Sequence, residues 1–75
     1  MTGKPRKRSL TIAGHRTSVS LEDDFWDALK EMSGGTDRSV AELVREIDAT
    51  RGQRSLSSAI RSAVLAYYRK LSPRR

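Results

Sequence analysis

A short stretch of alternating residues that leads straight into an acidic helix start constrains the fold more than any other feature. Residues 16–21 place their side chains on two faces: Arg16, Ser18 and Ser20 on one, and Thr17, Val19 and Leu21 on the other. A period of two is typical of a half-buried strand. No later segment has comparable β-branched content, and a lone strand leaves its backbone groups unpaired along both edges. We therefore expect this strand to pair, antiparallel, with the same strand of a second copy of the chain.

A second alternating segment precedes this strand but is out of phase with it. In Leu10-Thr11-Ile12 the apolar side chains stand at even-numbered positions, whereas those of the strand stand at odd-numbered positions. The phase changes at Gly14-His15, where we predict a turn or a bulge because glycine tolerates the dihedral angles that both require. The sequence leaves three arrangements open for residues 10–12: a hairpin, an extension of the ribbon, or loose packing on the body.

The length of 75 residues limits the chain to one small domain, which buries little surface by itself. The sequence has no cysteine and no cluster of metal ligands, so neither a disulfide nor zinc adds stability. Dimerisation is the remaining source of stability. No apolar run approaches the length of a signal-peptide core or a membrane span, so we expect a soluble, cytoplasmic, nucleoid-associated protein with no membrane partner.

The net charge of +6 is unevenly distributed along the chain. Residues 1–9 and residues 69–75 each carry four basic side chains and no acidic one, whereas residues 10–68 have a net charge of −2. Basic ends on an acidic body are typical of arms that neutralise the phosphates of nucleic acid. We predict a disordered basic arm over residues 1–9, a folded domain over residues 10–71 and a basic tail over residues 72–75.

The first helix is predicted over residues 22–32, because Ser20 can cap it together with Asp23 and acidic residues suit its positive end. Ser39 and Glu42 form a second capping box, which predicts the start of the second helix. This helix is expected to end near Thr50, before Gly52.

The third helix is predicted from Ser55 to about Lys70, closed by Pro73. Its apolar stripe is widened by Leu65 and Tyr68, which indicates contact with more than one neighbour.

The residues do not support catalysis, a cofactor or a metal site. His15 is the one histidine, and no serine has a base at a spacing that would favour a triad. The acidic run at residues 22–24 is explained by a helix N-terminus, where successive side chains diverge.

Three side chains of the strand have the chemistry to read DNA bases. Arg16 can make a bidentate contact to guanine, and the hydroxyls of Ser18 and Ser20 can donate or accept hydrogen bonds. Phosphate contacts are predicted at the start of the second helix and along the basic arm: Arg38, Ser39, Val40, Lys4, Arg6, Lys7 and Arg8. Trp26 is interpreted as a core or interface residue.

Residues from Arg16 to about Thr50 resemble the ribbon-helix-helix (Arc/MetJ-type) family of DNA-binding proteins, with an alternating strand, Leu21 leading into the first helix and a second helix that starts at Ser39. Residues 14–22, followed by Phe25-Trp26, look even closer to a subgroup of short members of this family. The resemblance implies an intertwined dimer in which Arg16, Ser18 and Ser20 read bases and the start of the second helix grips phosphate. The fold class is then mostly α with one short strand, with the third helix as an addition to the common core. Arg54-Ser55-Leu56 repeats Arg38-Ser39-Val40, so the last helix is an alternative for the family's second helix, although the connection length favours residues 39–50.

The leading functional hypothesis is a homodimeric, sequence-specific DNA-binding protein, a repressor or autoregulator that inserts a two-stranded ribbon into the major groove. Adjacent dimers would pair on tandem half-sites. One alternative is the antitoxin of a toxin–antitoxin pair. Another is a protein-interaction or dimerisation module that does not read DNA and binds a protein partner through the third helix, around Leu65 and Tyr68.

Overall fold

The computed structural model describes residues 3–71, which form two strands followed by three helices. The elements are β1 (Arg6–Ile12), β2 (His15–Leu21), α1 (Asp23–Gly34), α2 (Val40–Thr50) and α3 (Leu56–Leu71).

The two strands form an antiparallel hairpin within one chain. Arg6 pairs with Leu21 at the open end and Ile12 with His15 at the turn. Ala13 and Gly14 make the connection with φ of 52° and 83°, the positive values that a type I′ two-residue turn requires. A turn of this length places even-numbered residues of β1 opposite odd-numbered residues of β2, which is the physical cause of the phase change in the sequence.

The expectation that β2 pairs with a second copy is wrong for this structure, because β1 of the same chain pairs along its length. The fold therefore has two strands rather than the single one predicted. Of the three arrangements left open for residues 10–12, the hairpin is the one observed. Residues 6–9, predicted as part of a disordered arm, belong to β1, and the predicted tail at residues 72–75 lies outside the described residues.

The start of α1 differs from the prediction. Ser20 lies in β2, and the N-cap is Glu22, whose side chain makes no capping hydrogen bond. The helix ends at Gly34, two residues later than predicted. Local capping rules failed here because the hairpin pairing continues β2 to Leu21, which leaves Ser20 two residues before the N-cap position.

The predictions for α2 and α3 are confirmed. The Ser39 hydroxyl accepts from the Glu42 amide at 3.1 Å, the Ser39 amide donates to Glu42 Oε1 at 2.9 Å, and α2 ends at Thr50. The Ser55 hydroxyl accepts from the Ser58 amide at 3.1 Å, and α3 begins at Leu56. Pro73, predicted to close this helix, lies outside the described residues.

The centre of the core takes one fully buried side chain from β2 and one from each helix: Leu21, Leu29, Val44 and Ile60. Ile12 and Val19 extend this core under the hairpin. Burial of these apolar side chains fixes which face of the hairpin points inward, because a shift of one residue would turn every side chain over. Among the described residues no helix has the length and apolar character needed to cross a membrane.

Candidate nucleic-acid interface

The outward face of the hairpin is polar, exposed and free of carboxylates. It consists of three side chains from each strand, which we call the ribbon face: Lys7, Ser9, Thr11, Arg16, Ser18 and Ser20. The predicted base readers are all on it, brought together on β2. The three ribbon-face side chains of β1 stand directly opposite these base readers, since Lys7 pairs with Ser20, Ser9 with Ser18 and Thr11 with Arg16.

A hydrogen bond crosses the ribbon face. Arg16 Nη2 donates to Ser9 Oγ at 3.1 Å, a diagonal contact between the two strands. This hydrogen bond to Ser9 restricts the position of the Arg16 guanidinium and leaves the rest of that group exposed. Arg16 is therefore oriented by a residue of β1 that the sequence analysis did not single out.

The other edge of β2 lies against the beginning of α3. The Ser20 amide donates to Ser57 Oγ at 3.2 Å, which satisfies a backbone donor that would otherwise be unpaired. Both edges of β2 are thus occupied within one chain, by β1 along its length and by α3 at this position.

An open cleft of about 500 Å³ lies between the turn of the hairpin and the C-terminal half of α2. His15 and Arg16 border it on one side and Arg45 on the other. The predicted phosphate contacts at the start of α2 are not at this end, since Val40 lies about 14 Å along the helix axis from Ala49 in the cleft wall. Arg38 is ion-paired with Glu46 at 3.0 Å.

Comparison with protein families matches residues 5–68 to the ribbon-helix-helix domain. The chain belongs to the ribbon-helix-helix domain family. This family is a DNA-binding, regulator-type fold whose members generally bind DNA as dimers. No curated protein and no solved structure matches the chain.

The matched ribbon-helix-helix domain is longer than the sequence resemblance indicated. It includes the whole of β1 and extends into α3 as far as Tyr68. The family match therefore includes α3 up to Tyr68, and the interpretation of this helix as an addition to the common core of the family stays a prediction.

Two basic residues of β1, Arg6 and Arg8, lie on the opposite side of the hairpin from the ribbon face, and both reach the carboxylate of Asp23. The Arg8 side chain is 16% exposed, pairs with the Asp23 carboxylate and has its guanidinium carbon 5.1 Å from the centre of the Trp26 ring. Arg6 lies 3.5 Å from the same carboxylate. The hydrogen bond from Arg8, with a smaller contribution from the charge of Arg6, lowers the pKa of Asp23.

A second arginine–carboxylate pair joins the start of α1 to α3. Arg61 donates to both oxygens of Glu22, from Nε at 3.0 Å and from Nη2 at 3.2 Å, and lies over the Phe25 ring. The hydrogen bonds from Arg61 lower the pKa of Glu22. These pairs hold the end of the ribbon, where β2 passes into α1, against the helices.

The sequence reasoning missed Ser9, Thr11 and Arg45 as members of the interface. The phase change at Gly14 was the signal for Ser9 and Thr11. Residues 10 and 12 share a face with residues 17 and 15 only if even-numbered residues of β1 pair with odd-numbered residues of β2, and this pairing places Ser9 and Thr11 on the opposite face. Nothing in the local sequence around Arg45 places it near the hairpin turn.

Proposed function

We propose that this protein is a sequence-specific DNA-binding regulator of transcription, acting as a repressor or autoregulator in the cytoplasm. One observation carries the proposal: six polar side chains, two of them cationic and none acidic, form one exposed face of a two-stranded ribbon. The major groove of B-DNA admits a ribbon of this width and exposes donors and acceptors to it. Family membership supports the same assignment.

Within this proposal, Arg16 reads guanine, and Ser18 and Ser20 make the weaker contacts that hydroxyls allow. Phosphate contacts fall to exposed cations outside the ribbon face, with Lys4 from the N-terminal segment. Arg38, Ser39 and Val40 at the start of α2 stay a prediction for phosphate. We leave Arg8 out, because its charge is already satisfied by Asp23 on the inward side.

We propose further that the protein acts as a homodimer, as family members generally do. Leu65 is 56% exposed and borders an apolar groove with Phe25, Val64 and Tyr68. A second copy covering this groove would bring two ribbons to one duplex, and adjacent dimers to tandem sites.

The test is selection of binding sites from random duplexes, with the recovered motif then measured against random DNA at several salt concentrations. We expect Arg16→Ala to weaken motif binding roughly five- to a hundredfold, the range for loss of a bidentate guanine contact, with a much smaller effect on random DNA.

Lys30→Ala is the matched control, because it removes one positive charge from the exposed side of α1, where Lys30 pairs with Asp27. Equal losses on motif and random DNA from Arg16→Ala would contradict base reading. If all binding is lost at physiological salt, the basic residues only attract DNA as a polyanion and the protein does not recognise a sequence.

A further inference from the structure

The strand that completes the ribbon differs from β2 in sequence. A ribbon built from two copies of β2 would have a two-fold axis through its centre and would carry two copies of Arg16. In the hairpin, Arg16 lies near the turn and Lys7 near the open end, and the opposed residues are Lys7 with Ser20, Ser9 with Ser18, and Thr11 with Arg16. The ribbon face has no two-fold symmetry.

The residues of β1 are as close to any ligand of the ribbon face as those of β2. Directly opposed side chains in an antiparallel pair have Cβ atoms about 5 Å apart, and the major groove is about 12 Å wide. Lys7, Ser9 and Thr11 are all exposed on this face. A duplex that contacts Arg16 and Ser18 therefore also meets β1.

We infer that one chain presents a complete, asymmetric reading ribbon, in which Lys7 and Thr11 contact the DNA directly and Ser9 positions Arg16. The DNA site of one ribbon then lacks internal two-fold symmetry, and a dimer recognises two copies of that asymmetric site. The inference rests on the proposed function for its DNA contacts, whereas the pairing of β1 with β2 is tested without DNA.

The strand pairing is tested by a disulfide across the hairpin. Ser9 and Ser18 are directly opposed, and opposed Cα atoms in antiparallel pairs lie within the range that a disulfide spans. The sequence has no cysteine, so the double variant Ser9→Cys with Ser18→Cys contains just these two thiols.

On oxidation we expect an internal disulfide and monomer mobility on a non-reducing gel. Ser18→Cys alone is the control, because residue 18 lies at the middle of β2 and would form covalent dimers if two copies of β2 were paired. Covalent dimers from the single variant, or from most of the double variant, would overturn the inference.

The reading is tested by site selection with Lys7→Ala, Thr11→Ala and Arg16→Ala. We expect each variant to relax preference at its own part of the motif, with Arg16→Ala affecting one place per ribbon. Lys4→Ala, outside β1, is the charge control and is expected to weaken all sequences alike. A palindromic motif in which Arg16→Ala erases two symmetry-related positions, with Lys7→Ala and Thr11→Ala silent, would overturn the inference.

The positioning role of Ser9 has its own readout. We expect Ser9→Ala to reduce discrimination at the Arg16 position several-fold without changing the salt dependence of binding, and Ser9→Thr, which keeps the hydroxyl, to restore it. No effect of Ser9→Ala would overturn this role. If the unaltered protein yields no motif, the proposed function and the reading role of β1 fail together, while the gel still decides which strands pair.

Discussion

At the scale of single residues, neighbouring arginines and lysines of β1 have different environments. Lys7 points outward to solvent, while Arg8 is held beneath the hairpin by Asp23 and Trp26. The composition correctly identified a basic segment, but it could not show which of its side chains point outward and which point inward. That difference depends on which face of β1 is buried. Arg16, Ser18 and Ser20 were placed on an exposed face from the alternation of β2 alone, and whether they bind DNA stays a prediction.

The lowered pKa values of Glu22 and Asp23 predict a loss of stability in acid. Each carboxylate stabilises the fold fully above its ordinary pKa, 4.5 for Glu22 and 3.8 for Asp23, and this contribution disappears as the pH falls through the lower value of the folded state. We expect the Tm followed by circular dichroism to fall between pH 7 and pH 3, and the fall to be smaller in Glu22→Gln.

Asp27→Asn is the control for this measurement, because it removes a carboxylate from an exposed pair within α1. An acid response in Glu22→Gln as large as that of the unaltered protein would show that the Arg61 pair does not contribute.

At the scale of elements, the hairpin turn is the most sensitive connection. Ala13 has a positive φ that alanine adopts at a cost, whereas asparagine tolerates it and Asn-Gly is a preferred type I′ pair. We expect Ala13→Asn to raise the free energy of unfolding by about 0.5–1 kcal/mol and Gly14→Ala to lower it by about 1 kcal/mol, measured by denaturant titration.

Gly34→Ala is the matched control, because an added Cβ there meets nothing within 4 Å and no positive φ is required. It should leave stability unchanged or slightly higher. A neutral Gly14→Ala would contradict the turn as described.

The helices show why some elements could be predicted and others could not. The capping serines Ser39 and Ser55 lie outside any strand, so local rules placed α2 and α3 correctly. Ser20 has the same local chemistry but is committed to β2, and long-range pairing overrode the cap. The first part of β1, residues 6–9, was predicted as a disordered arm because its residues are mostly basic, and the strand that pairs with it lies across the turn.

At the scale of the whole molecule, the proposed homodimer predicts a dependence on Leu65. A charge at this exposed position beside the apolar groove would be buried against the second copy, at a high cost. We expect Leu65→Glu to sediment as a species of about 8.4 kDa at concentrations where the unaltered chain has twice that mass.

Leu71→Glu, at the exposed end of α3, is the control and should remain dimeric. Circular dichroism of both variants checks that the helices are intact. A Leu65→Glu protein that stays dimeric would move the interface away from this groove.

The short connection between β1 and β2 also affects how the ribbon responds to dilution. A ribbon shared between two polypeptides forms by a second-order step and is lost as the protein becomes scarce. A hairpin closed by Ala13 and Gly14 forms in a first-order step, on the microsecond scale typical of hairpins, whatever the amount of protein present. Each polypeptide therefore has its ribbon as soon as it folds, and scarcity affects only the association of folded chains.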